Sequence, residues 1–153
     1  MTGWSVAKGC PDAGADAVLL LGPLYHLQQL ADRRRVLEEA SRVLRPGGVL
    51  VAAALSRWAS AVDGLALGFI RDPEFAAIVA EDLVSGVHRN PSRHPGWFTT
   101  AYFHRPDDLR DEVSAAGFDT DGPVAVEGVA RLASDLDTLL EDPASGRRSG
   151  HAA

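Results

Sequence analysis

Cysteine is almost missing from this 153-residue sequence: Cys10 stands alone, which excludes an internal disulfide and any metal site built on spaced cysteines. Lysine is nearly as scarce, Lys8 against fourteen arginines, a bias that a GC-rich coding sequence explains without assigning function to guanidinium groups. Apolar runs are short. Ala17 to Leu21 spans five residues and Val49 to Leu55 seven, whereas crossing a bilayer takes ~20. No basic patch followed by an apolar stretch opens the chain, so no secretory signal is visible. Excess positive charge is lacking too: fifteen basic residues against twenty-one acidic ones leave a formal charge of −6. That argues against nucleic acid as a partner, because phosphate neutralisation needs clustered Lys and Arg. These absences point to one soluble domain in a reducing, cytoplasmic setting, with no membrane partner.

Several chemistries are also excluded by missing motifs. There is no G-x-S-x-G nucleophile elbow, no G-x-x-x-x-G-K-[ST] phosphate loop and no G-x-G-x-x-G dinucleotide turn. His88, His94 and His104 fall in one stretch, but spacings of six and ten fit no metal motif, and the expected metal set is none. Surface or substrate-lining histidines are the alternatives.

What is present reads as alternating strand and helix. Asp16-Ala-Val-Leu-Leu-Leu-Gly22-Pro23 is a continuous apolar run closed by a Gly-Pro breaker, strand-sized and suited to burial on both faces of a parallel sheet. A helix follows, with Leu30, Leu37 and Leu44 on a stripe widened by Val36, Ala40 and Val43, Asp32 as N-cap, and Arg42 and Arg45 near its end. Pro46-Gly47-Gly48 stops it, and Val49 to Leu55 supplies a second buried strand. The result is a βαβ unit. Beyond it, Asp72-Pro73 and Gly86 bracket a helix, His88 to Arg105 reads as an aromatic-rich loop, and Pro106 to Gly117 reads as another helix. Val124 to Val126 is expected as a further strand and Leu132 to Leu140 as a last helix. Met1 to Ala15 is expected to be irregular and Ala144 to Ala153 a flexible tail.

In such a unit the ligand crevice opens at the carboxyl ends of the strands. Parallel strands would bring Leu21 to His26 and Leu55 to Trp58 to one end. Gly22 would admit a ligand close to the backbone, with Tyr25 and His26 as polar tips. The plainer alternative makes Gly22-Pro23 an ordinary turn and packs Tyr25 under the sheet edge.

Asp16-Ala-Val-Leu-Leu-Leu-Gly-Pro-Leu-Tyr-His-Leu27, followed by Arg42-Val-Leu-Arg-Pro-Gly-Gly-Val-Leu50, resembles the middle of a class I S-adenosylmethionine-dependent methyltransferase. Phe98 to Leu109 and then Ala116-Gly-Phe118 are similar to the later part of such enzymes. The resemblance implies an α/β fold, a partial and mostly parallel Rossmann-like sheet, with the methyltransferase-like domain at 16–143 and a substrate cover at 59–104. It implies S-adenosylmethionine as cofactor along Leu21, Gly22 and Pro23, with Tyr25 and His26 as catalytic candidates near the methyl group. Imidazole is suited to take a proton from an acceptor near neutral pH. Arg57, Trp97, Phe98 and Tyr102 are the substrate-binding candidates, for a small-molecule acceptor.

The sequence departs from this family in lacking the G-x-G-x-G turn that admits the cofactor's methionine end, and the acidic strand end that binds its ribose. It looks like the second half of a methyltransferase, truncated at both ends. That counts against unaided catalysis and leaves an unpaired apolar strand edge. The alternative function is a non-catalytic remnant or partner-binding module, docking on another protein or a second copy through that edge.

Overall fold

The computed structural model describes residues 9–126, together with Gly128 and Leu132. The apolar run forms strand β1, Ala15–Leu20, and a one-turn helix α1, Pro23–His26, follows at the Gly-Pro breaker. Helix α2 spans Leu30–Val43 and leads directly into β2, Leu44–Ala52. β1 and β2 pair in parallel, with Ala17 opposite Val49 and Leu19 opposite Val51, completing the expected βαβ unit. The fold is α/β, with its longest strands parallel.

Two details of this unit differ from expectation. Helix α2 begins at Leu30 after Gln29, and Asp32 lies within its first turn without capping it; there its charge still suits the helix dipole. At the other end, Leu44 is already paired with Ala15, so Pro46-Gly47-Gly48 is a bulge inside β2. Proline forces the residue before it out of helical geometry, which ends α2 early. Gly47 then turns at φ +78°, and a Cβ on Gly48 would come within 2.9 Å of the Arg45 carbonyl oxygen and 3.1 Å of that of Asp16. Only a glycine lets the bulged backbone pass so close to β1.

The first core lies between this sheet and α2. Leu20, Leu24, Val36, Leu37 and Ala40 are buried, with Val18 and Leu50 packed from the sheet. Helix α5, Pro106–Ala115, closes the far side through Leu109 and Val113, and Phe118 follows it into the same cluster. Pro106 opens α5 and Gly117, at φ +88°, ends it, as the sequence predicts. The opposite face of the two-stranded sheet is bare. Leu19, Val49 and Val51 are 64%, 57% and 48% exposed, although parallel strands are ordinarily covered on both faces.

After β2 the chain forms β3, Leu55–Ser56, α3, Ala59–Leu67, and α4, Pro73–Ser85. Asp72 caps α4 by accepting from the backbone N–H groups of Glu74 and Phe75, and Gly86 ends it at φ +77°. A second core joins Phe75, Ile78, Val79 and Trp97, with Phe69 and Ile70 against it. The stretch expected as loop from His88 to Arg105 contains strand structure. β4, Val87–His88, lies antiparallel to β5, Ala101–His104, which also pairs in parallel with β3. These strands are too short to show alternation in sequence.

The further strand expected at Val124 to Val126 does not form. Val124 and Val126 are exposed and outside any strand. Three apolar residues bury too little surface to offset the entropy of ordering a strand. The helix expected at Leu132 to Leu140 and the tail from Ala144 lie outside the described residues, apart from Leu132 itself.

Candidate functional site

The carboxyl end of β1 places six consecutive residues where the crevice rule expects a ligand. Leu21 is exposed, and its carbonyl accepts a hydrogen bond from the Tyr25 hydroxyl at 3.0 Å. The Gly22 carbonyl accepts from the backbone N–H groups of Tyr25 and His26 at 3.2 and 3.3 Å, which winds the Pro23 turn tightly. Leu24 is fully buried and anchors that turn in the first core. Tyr25 is therefore half-buried and His26 is presented to solvent, their rings 4.7 Å apart. A Cβ added at Gly22 would sit 3.8 Å from both the Tyr25 hydroxyl and the His26 ring, so the glycine leaves a notch between backbone and the two rings.

Phe98 completes this rim. It comes from the segment between β4 and β5, is partly exposed, and meets Tyr25 edge-on at 6.4 Å between ring centroids. The turn after β1 thus presents Leu21, Gly22, Pro23, Tyr25 and His26, and Phe98 joins them through Tyr25.

The remaining substrate candidates lie elsewhere. Arg57 is buried. Its guanidinium donates to the carbonyls of Phe103, at 2.8 Å, and Val84, at 3.2 Å, and stands 3.6 Å from Asp108. It is thereby committed to joining α4 and β5. Tyr102 lies under Arg33, whose guanidinium carbon is 3.6 Å from the ring centroid. Trp97 is in the second core, 5.1 Å from Phe75 and stacked with His94 at 4.5 Å.

Two buried polar networks escape a reading by periodicity. In the first, Arg33 forks onto Glu112, 2.9 Å from Nε to Oε2 and 2.7 Å from Nη2 to Oε1, and also donates to the carbonyls of Leu27 and Gln28. His104 stands 3.6 Å from the same carboxylate. Burial alone would raise the Glu112 carboxyl, but the two hydrogen bonds from Arg33 and its charge, with His104 close beside, hold it at about 2. The signal in the sequence was an arginine on the apolar face of α2, three residues before Val36.

The second network is Asp82, His88 and Ser60. His88 Nδ1 is 2.8 Å from Asp82 Oδ2 and 3.2 Å from Ser60 Oγ, while Nε2 is 3.1 Å from the Phe98 carbonyl oxygen. The three residue types match a hydrolytic triad, but the arrangement does not. Serine and aspartate share one ring nitrogen, so the base cannot draw a proton from serine while aspartate orients its other side. All three side chains are buried.

Among the described residues no three His, Cys, Asp or Glu side chains gather as a metal site. None of the described helices is long and apolar enough to cross a membrane. No curated protein and no solved structure matches the chain. A protein-family model described as "Methyltransferase domain" matches residues 6–52, the segment that holds β1, α1, α2 and β2, so the strand–helix–strand unit that presents Gly22 to His26 is methyltransferase-like.

Proposed function

We propose that this chain carries the acceptor side of a methyl-transfer site, with S-adenosylmethionine as donor and a small molecule as acceptor. The observation that carries this reading is the meeting of Gly22, Tyr25, His26 and Phe98 at the carboxyl end of a parallel strand in the methyltransferase-like unit. The residues present fit the methyl end of the cofactor, because the notch at Gly22 is bounded by a hydroxyl and an imidazole. For its methionine end, this sequence has no G-x-G-x-G turn. When bound, the cofactor supplies a methyl group on a positively charged sulfur, open to in-line displacement.

The chain's own residues orient and deprotonate. Leu21, Gly22 and Pro23 form the floor, and Tyr25, pinned to the Leu21 carbonyl, fixes the wall beside it. His26 takes the proton that a hydroxyl or amine acceptor loses on methylation. Phe98 closes the apolar side and excludes water from an acceptor held against Tyr25. The segment 59–104, which carries Phe98, is the substrate cover, in a protein that works in the reducing cytoplasm.

Calorimetric titration with S-adenosylmethionine tests this reading: measurable saturable binding supports it. Without a glycine turn the affinity is expected to be low, and turnover by the chain alone is not expected. Complete absence of heat up to millimolar cofactor favours a second reading, a non-catalytic module that docks through its sheet. The exposed Leu19, Leu21, Val49 and Val51 favour that alternative, because such a face and the open strand edges beside it are surfaces proteins normally cover. A concentration-dependent dimer in sedimentation would support it.

A further inference from the structure

His88 is the most enclosed titratable ring in the neighbourhood of the site, with no solvent exposure, and it bridges three elements. From α4, Asp82 approaches Nδ1; from α3, the Ser60 hydroxyl approaches the same nitrogen; and from the segment before β5, the Phe98 carbonyl approaches Nε2. Phe103 of β5 stacks on the ring at 5.0 Å and Phe98 stands at 6.3 Å. Asp82 supplies the charge facing the ring. Its Oδ1 is buried with no hydrogen-bond partner, so its carboxylate is balanced through Oδ2 alone. Beyond Asp82 opens a cleft of about 270 Å³ that Glu74, Glu81 and Arg89 also line.

Both ring nitrogens therefore face oxygen acceptors. A protonated imidazole satisfies the carboxylate and the carbonyl together, because each nitrogen carries a hydrogen. A neutral ring carries one, and either tautomer turns a lone pair toward one of the two oxygens. The charge-assisted bond to Asp82 is the stronger of the pair. The Phe98 carbonyl is then the contact that gives way.

We infer that His88 is a positioning residue for the rim: its second proton latches Phe98 against Tyr25, and loss of that proton releases the Phe98 segment. The inference rests on the proposed function only for what the rim is used for; the latch itself is a property of the fold. In its closed state Phe98 narrows the entrance beside Tyr25, and in its open state the acceptor can enter or leave.

Nuclear magnetic resonance on the full chain tests the latch without cofactor. Ring-nitrogen shifts of His88 report its protonation, and nuclear Overhauser contacts between Tyr25 and Phe98 report closure. As pH is raised, the Tyr25–Phe98 contacts are expected to disappear together with loss of the His88 proton. Asp82→Asn removes the carboxylate that favours the protonated ring, so the contacts should then be lost at a lower pH. The latch is overturned if the contacts persist in the wild-type chain after His88 has lost its proton, or if His88 carries only one proton while Phe98 is closed. It is equally overturned if folded Asp82→Asn opens at the wild-type pH. The wild-type titration decides the question even if the variant does not fold. A failed cofactor titration alongside an intact latch would remove the methyl-transfer reading alone.

Discussion

Arg33 and Glu112, 79 positions apart, meet in a buried two-pronged ion pair that locks α2 to α5. Removing one partner strands the other charge in a dry site. Glu112→Ala should therefore cost about 3–5 kcal/mol. Urea unfolding of this variant, and of Arg33→Met combined with it, provides the check. The double variant is expected to be less destabilised than the sum of the two single ones, because neither charge is then left unpaired.

The same pair sets an acid limit. Glu112 is held at about 2 in the folded chain against an ordinary 4.5, so between these values the unfolded state binds the extra proton. Stability from this group is fully present above about 4.5 and drains away as pH falls toward about 2. Thermal melts recorded across that range should fall less steeply for Glu112→Gln than for wild type. Equal slopes would show that Glu112 is not the group responsible.

Two glycines separate backbone strain from crowding. Gly47 and Gly86 have φ of +78° and +77°, but a Cβ on Gly47 meets nothing within 4 Å, whereas one on Gly86 would be 2.6 Å from the Phe103 carbonyl oxygen. Gly47→Ala should cost about 1 kcal/mol, the left-handed strain alone. Gly86→Ala should cost roughly 2–4 kcal/mol, because it adds overpacking where α4 meets β5. Denaturant midpoints measure both, and a reversed order would refute the close approach at Gly86.

His26 is presented to solvent at the strand end with Tyr25 beside it. In a form of the protein made active by a glycine-rich turn, His26→Ala should slow methyl transfer by about tenfold or more. The loss should fall on kcat, since the ring is assigned to the proton and not to holding the acceptor. Unchanged kinetics would remove His26 from the mechanism.

Leu19 stands across from Val51 on the bare sheet face. Leu19→Lys should change monomer stability by less than about 0.5 kcal/mol. If the face mediates association, the substitution should abolish a dimer seen by sedimentation. A loss of several kcal/mol from the monomer would mean the face is covered within the chain.

Elements whose signals are local can be read directly from the order of residues. Five apolar residues ending in Gly-Pro specified β1, and Val36, Leu37, Ala40 and Val43 specified the buried face of α2, although Leu30 of the expected stripe is exposed and Leu44 belongs to β2. Asp72-Pro73 with Gly86, and Pro106 with Gly117, bracketed α4 and α5, because caps and breakers act on the backbone where they stand. The turn at Gly22-Pro23 was legible for the same reason. Tertiary structure alone decided what depended on distant partners. It paired the two-residue strands β3 and β4 with β5, turned Pro46-Gly47-Gly48 from a helix stop into a bulge against Asp16, and left Val124 and Val126 exposed outside any strand. It also sorted the substrate-binding candidates, sending Trp97 to a core, Arg57 to the buried carbonyls of Phe103 and Val84, half-buried Tyr102 beneath the Arg33 guanidinium, and Phe98 to the rim. Periodicity reports which face of an element is apolar; which distant charge or carbonyl a polar side chain will meet is settled only when the elements pack.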